Sequence, residues 1–186
     1  MKQYLQIMLA TIKTFHYNLN NTNNYYFAIM ATKEFRDPVH GFVHVDESEL
    51  NIIEEDIFQR LRHIKQLALL YFVYPGVTHT RFEHSLGTMH LSSKLFDFLC
   101  KKPETRTVLE ELCDKNIEKY RRLVRIAALI HDIGHLPFSH VSENILYPEE
   151  HEKFGKEMIY KTSLKDILEK NYSKYDISVD EISVLS

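Results

Sequence analysis

VRIAALIHDIGHLPFSH, Val124 to His140, is the stretch that decides how this chain is read. Its first half, Val124 to Ile130, is apolar apart from Arg125 and has the composition of a helix buried on nearly every side. Its second half sets three histidines and one aspartate within ten residues. Imidazole and carboxylate groups are costly to bury unless something binds them. On a helix of about 3.6 residues per turn, His131 and Asp132 lie about 100° apart, and both reach one ion if the helix presents its edge. His135 is one turn on from His131 and shares its face. Gly134 and Pro137 are expected to end the helix. A lone histidine is ordinarily a hydrogen-bonded core or surface residue. An adjacent His-Asp pair closing an apolar helix, with two more histidines close behind, points to a metal ion instead.

Upstream, Thr80-Arg81-Phe82-Glu83 has the form of a capping box, with Thr80 as the cap and Glu83 reaching back. A helix is expected from there to about Cys100, with Leu86, Leu95, Phe96 and Leu99 facing inward. His84 sits one turn into it. If this helix packs antiparallel to the one ending at His131, His84 completes a three-ligand cluster. Mixed nitrogen and oxygen ligands suit Mn, Fe, Zn, Ni or Co rather than Mg alone. Arg81 would be read as a solvated residue at a helix start if it stood by itself. Three residues before a ligand, it becomes a forked donor for an anion.

The rest of the chain reads as mostly α. Lys33 to Glu47 contains a Pro, a Gly and the alternating run Phe42, Val43, His44, Val45, so a short extended or hairpin segment is expected near 37–46. A helix is expected over Ser48 to Tyr74, because Ile57, Leu61, Ile64, Ala68 and Tyr71 recur at three and four. Pro75-Gly76 stops it. A third long helix, with a break, is expected from about Val108 to Ile133. Others are expected over 139–146 and from 148 to about 170. DEISVLS at the end looks like the opening of one more helix. No βαβ alternation or internal repeat is visible.

The chain has 186 residues, enough for one domain with a core. Its net charge of −3 gives no global reason to expect nucleic acid, so an anion site must be local. Eleven histidines, ten of them between His40 and His151, are the compositional outlier. Two cysteines, Cys100 and Cys113, without C-x-x-C spacing, argue against a disulfide framework and fit an intracellular, reducing compartment, cytoplasm or nucleus. No segment has the uninterrupted apolar length of a membrane helix. Gln6, Thr11 and Lys13 interrupt the apolar N-terminus, and an Asn/Tyr-rich stretch follows, so residues 1–29 are expected to be a low-complexity, disordered leader. Met30 is a candidate start, with the folded domain over 30–186.

With these blocks in view, the chain resembles the HD-domain metal-dependent phosphohydrolases. Within them it is most similar to the deoxynucleoside triphosphate triphosphohydrolase branch, dGTPase-like and including the vertebrate enzyme with a SAM domain ahead of its HD domain. The likeness rests on DPVHG at Asp37, FQRLRHIKQL at Phe58, YPGVTHTRFEHSLG at Tyr74, HDIGHLPFSH at His131 and HEKFG at His151. A bare His-Asp pair is weak; five blocks in this order are specific. The resemblance implies the all-α HD fold and hydrolysis of a dGTP-like deoxynucleoside triphosphate to deoxynucleoside and inorganic triphosphate. It implies His84, His131 and Asp132 as ligands of a divalent transition metal, with Mg on the substrate phosphates. Arg81 and Gln66 would contact substrate. His135, His140 and His151 would line the phosphate side, with Glu143 where the family often has an aspartate. Lys33, Glu54, Gln59 and Arg62 match positions that hold a guanine nucleotide activator and drive homo-oligomer assembly. Of these, only Gln59 and Arg62 share a helical face by spacing, and an ordinary charged surface is the competing reading.

One feature departs from the family. Its fourth ligand is an aspartate on a helix far downstream, with a lysine and a tyrosine that hold phosphate. Asp166, Asp176 and Asp180 follow Asp132 here, but none sits in such a motif. The expectation is therefore the N-terminal portion of an HD domain, truncated at its C-terminus. Two functions follow: a triphosphohydrolase, or a catalytically weak or inactive HD module that binds metal and nucleotide.

Overall fold

A computed structural model describes residues 33–114, 116–138 and 151–185. The leader at 1–29, the helix expected over 139–146, and His140 and Glu143 lie outside them. The described residues form eight helices and one two-stranded antiparallel sheet, an all-α HD-type architecture with a hairpin.

The hairpin pairs β1 (Lys33–Asp37) with β2 (Gly41–Val45), Phe35 opposite Val43. Asp37 Oδ1 accepts the backbone N–H groups of Val39 and His40 at 2.8 and 2.7 Å, and Gly41 closes the turn at φ +80°. The alternation expected over 37–46 holds, since Val43 and Val45 are buried and Phe42 is exposed; the partner strand lies earlier, from Lys33. Asp46 and Glu49 then form a reciprocal capping box at the start of α1 (Glu47–Ile53).

The continuous helix expected over Ser48 to Tyr74 does not form. α1 ends at Ile53, and α2 (Asp56–Gln59) is a single turn followed by 3-10 turns at Arg60–His63 and Leu70–Phe72. The periodicity misleads because only its first part is buried. Phe58, Leu61 and Ile64 enter the core, whereas Leu67, Leu69, Leu70, Phe72 and Val73 stay exposed. From Ile64 the backbone leaves the helix (φ −105°, ψ 110°) and pairs with the residues before the next element. Arg81 N donates to Ile64 O at 2.9 Å and Gln66 N to His79 O at 3.1 Å.

α3 (Arg81–Lys101) starts where the capping box predicts, with the Glu83 carboxylate accepting from Thr80 N at 2.6 Å. The third long helix is divided into α4 (Pro103–Leu112) and α5 (Ile117–Ile130), the latter capped by Asn116. The helix expected to reach about 170 is two, α6 (His151–Lys161) and α7 (Leu164–Tyr172). The Thr162 hydroxyl closes α6 by donating to Met158 O at 2.7 Å. α8 (Val179–Leu185) is the final helix that DEISVLS suggested.

α5 is the centre of the core, and every residue from Leu123 to Ile130 is buried. It runs antiparallel to α3. Arg121 near its start holds Asp97 near the end of α3 at 2.7 Å, and Arg125 holds Ser93 at 2.7 Å. The buried Arg125 also pairs with buried Glu49 of α1 and donates to His44 O of β2, so one guanidinium ties the hairpin, α1 and α3 to α5. This arrangement brings the start of α3 to the end of α5. Among the described residues, no helix is long and apolar enough to cross a membrane.

Candidate metal centre

The site forms at that meeting point. His84 projects from the first turn of α3, His131 caps α5, and Asp132 follows it. One ligand atom from each lies within 4.8 Å of the others. The two protein segments carrying them are adjacent because α3 and α5 are antiparallel, as the three-ligand reading required.

The local backbone differs from the expected helix edge. α5 ends at Ile130, before the pair, and the chain tightens into i→i−3 bonds: Ile133 N to Ile130 O at 3.0 Å and His135 N to Asp132 O at 3.1 Å. Side chains three apart overlie one another in such a turn. His131 and His135 accordingly converge on one oxygen of Asp132. His135 Nε2 lies 3.6 Å from that oxygen.

Hydrogen bonds and burial orient each side chain. His131 Nδ1 lies 2.8 Å from Ala128 O, and a carbonyl can only accept, so the proton sits on Nδ1. Nε2 then lies 3.1 Å from Asp132 Oδ1. Two electron-pair donors that close require a cation, either a proton or a metal, and the backbone bond that orients the imidazole is the usual support of a metal-ligating histidine. His84 Nε2 lies 3.7 Å from the other carboxylate oxygen, with its ring edge-on to that of His131 at 5.2 Å. Burial, followed by the charge of His131, lowers His84 to about 4, which leaves the neutral imidazole that a metal needs. Burial alone would raise the Asp132 carboxyl. The His131 hydrogen bond and the charges of His131, Arg81 and His135 outweigh it and hold the group well below the usual carboxylate range. The donor set of two imidazoles and one ionised carboxylate thus fits a divalent transition ion.

Arg81 is not a solvated residue at a helix start. It is buried, and its Nη1 donates to Asp132 Oδ2 at 2.6 Å. Gln66 stands at the Lys65–Thr80 bridge that leads into α3, and its Oε1 is buried without a hydrogen-bond partner among the described residues. On the other side of Asp132, the buried His135 ring stacks on His151 at 3.9 Å and 15°. Gly134 and Gly155 permit this stack, because the 134 backbone lies directly against His151 O and Gly155 N.

Arg60 was not singled out from sequence, yet its guanidinium donates to the backbone carbonyls of His135, at 2.7 Å, and Ile133. It therefore braces the turn that carries the His-Asp pair. The available signal was an arginine flanked by two core positions, Phe58 and Leu61. Burial lowers it to about 10, so it remains charged at neutral pH. Away from the centre, Lys33 Nζ meets Glu54 at 3.4 Å, and Gln59 links Ile53 O to Arg62 Nε, the latter at 2.7 Å. Arg62 lies 3.5 Å above the Phe82 ring. These four residues thus form two contacting pairs on exposed and half-buried surface. Of the downstream carboxylates, Asp176 pairs with Lys119 at 3.2 Å and Asp180 accepts from Tyr160; neither they nor the exposed Asp166 joins the metal cluster among the described residues.

Comparison with known proteins agrees with this geometry. Residues 81–181 match the family model described as HD domain. An uncharacterized protein of Methanocaldococcus jannaschii is 43% identical over 145 residues, 78% of this chain and 27% of that protein. The deoxynucleoside triphosphate triphosphohydrolase SAMHD1 of Gallus gallus is 36% identical over 158 residues, 80% of this chain and 24% of the enzyme. A crystal structure of a hypothetical protein from Aquifex aeolicus superposes with a TM-score of 0.60 at 41% identity, covering 82% of this chain and 36% of that one. The chain thus spans only about a quarter of the length of these curated relatives.

Proposed function

The chain belongs to the HD-domain family, and on that premise we propose that it acts in metal-dependent hydrolysis of a deoxynucleoside triphosphate, dGTP-like, to deoxynucleoside and inorganic triphosphate. The observation that carries the reading is the His131–Asp132 pair, an imidazole Nε2 3.1 Å from a carboxylate oxygen and oriented through its Nδ1, joined by His84. His84, His131 and Asp132 would hold Mn, Fe, Zn, Ni or Co, with Mg on the substrate phosphates. Such an ion, when bound, polarises a phosphoryl oxygen and makes water more acidic.

The remaining roles belong to side chains. Arg81 sets a fixed positive charge beside Asp132 where a triphosphate must be met. Gln66 offers its unpartnered Oε1 to a hydroxyl or amine of the nucleoside. The stack of His135 on His151 beside Asp132 supports a role in passing a proton to the leaving 5′-oxygen, and His140 and Glu143 complete this group in the same reading. Purified protein should carry a transition metal that His131→Ala loses, and elemental analysis of both proteins measures it. Equal metal content would sink the assignment.

A second reading is supported by one observation: Asp176 pairs with Lys119 and Asp180 with Tyr160, and neither they nor Asp166 joins the cluster among the described residues. The loss of one preorganised electrostatic contact commonly costs ~10²–10³ in rate. On this reading the chain is an HD module that binds metal and nucleotide with little turnover. Equilibrium binding of dGTP that Arg81→Ala weakens, together with slow triphosphate release, would select it over the full enzyme; rapid release would reject it.

The Lys33–Glu54 and Gln59–Arg62 pairs support a further part of the proposal, a guanine nucleotide bound there that drives self-association. Sedimentation with and without GTP tests this, and an unchanged mass argues against the site.

A further inference from the structure

Beyond His84, where α3 runs past β2 and α5, the surface opens into a pocket lined by His44, His90, Lys94, Arg121 and Arg125, none of them part of the metal centre. The carboxylate in its wall, Asp97, is engaged by Arg121 through two bonds of 2.7 and 2.8 Å. Arg125 is anchored behind the wall by Glu49. Lys94 has no ion-pair or hydrogen-bond partner among the described residues, so its charge is left over.

His90 is the telling group. Its side chain is only 5% exposed, and its Nε2 is buried with no hydrogen-bond partner among the described residues. Burial, then the nearby charge of Lys94, His40, Arg125 and His44, lowers its ring to about 3. A polar atom is costly to leave unpaired in such a place, and the uncompensated Lys94 ammonium stands beside it. Both features are relieved by one kind of ligand. A tetrahedral oxyanion accepts from the Lys94 ammonium and from the His90 ring N–H.

We propose that this pocket binds the phosphate group of a small ligand through His90 and Lys94, at a site separate from the metal centre. The two sources of that chemistry are free phosphate and a phosphate monoester. Titrating the full chain, with 15N-labelled histidine, with inorganic phosphate and with glycerol phosphate at pH 7 distinguishes them. The His90 Nε2 resonance should move saturably. Lys94→Ala should weaken binding about tenfold, the loss of one charge-assisted hydrogen bond. Arg81→Ala, in the metal centre, should leave the affinity within about twofold. Tighter binding of glycerol phosphate would assign the site to an organic phosphate, and equal binding to free phosphate. A static His90 resonance with both probes, an unchanged affinity in Lys94→Ala, or a loss of the response in Arg81→Ala would each overturn the proposal.

Discussion

Gly134 and Gly155 face each other across the packing of the His-Asp turn on α6, and the structure predicts opposite outcomes for the two when alanine replaces them. A Cβ at Gly134 would overlap the His151 carbonyl oxygen and stand 2.6 Å from Gly155 N and 2.9 Å from its Cα. All three are backbone atoms, so no rotamer change relieves the clash. α6 must move away, taking His151 from its 3.9 Å stack on His135. A Cβ at Gly155 meets Gly134 N at 3.5 Å and Ile133 Cγ2 at 3.6 Å, ordinary contact distances. Overpacking of a close-packed interior costs about 1–3 kcal/mol, and a backbone clash belongs at the upper end. A helical Gly→Ala change otherwise gains roughly 0.5–1 kcal/mol. At about 2–4 °C per kcal/mol for a chain of this size, Gly134→Ala should lower Tm by roughly 6–12 °C. Gly155→Ala should hold or raise it slightly. Calorimetry of the three proteins measures this directly. Equal shifts for the two variants, or a larger loss at Gly155, would refute the packing argument.

Other outcomes follow from single side chains. Arg125→Met strands the buried Glu49 carboxylate and should cost about 3–5 kcal/mol in guanidinium unfolding; the double variant with Glu49→Gln, which removes the stranded charge and keeps an acceptor for Asp46 N, should regain part of it. Arg60→Ala removes the brace on the His135 and Ile133 carbonyls and should weaken metal binding about 10–100-fold by competition with a chelator, with Arg62→Ala as the unaffected control. His90 is held at about 3 in the folded chain, below the ~6.5 of an unfolded histidine. Between those values the unfolded chain binds a proton that the folded chain does not, so stability falls as pH drops through that window. His90→Phe should lose less stability than wild type between pH 6.5 and 4, read from urea midpoints; parallel slopes would contradict it.

Much of the fold was legible because local chemistry and burial agreed. The Thr80–Glu83 box marks the start of α3 with a bond that depends on residues three apart. The unbroken apolar run before His131 announces a helix at the centre of the core, and α5 is buried from Leu123 onward. Where apolar spacing and burial part company, the reading failed. Ile57 to Tyr71 has helical periodicity, but its second half stays in solvent, and the backbone at Ile64 is captured by Arg81 across a gap that no window on the sequence spans.

The sequence by itself named the three side chains that the structure gathers into one cluster. A histidine and an aspartate side by side, with another histidine one turn into a capped helix, can be named without coordinates because their cost of burial demands a partner. Only the tertiary structure decided how they meet. The antiparallel register of α3 on α5 brings His84 to the pair, and the tightened turn after Ile130 brings His135 to the same Asp132 oxygen that His131 approaches. It also revealed Arg60 and Arg125, charged residues whose roles depend on carbonyls and carboxylates far along the chain. Spacing encodes what lies within a turn or two of a helix. Ion pairs and backbone contacts between distant segments are set by packing, which local pattern does not record.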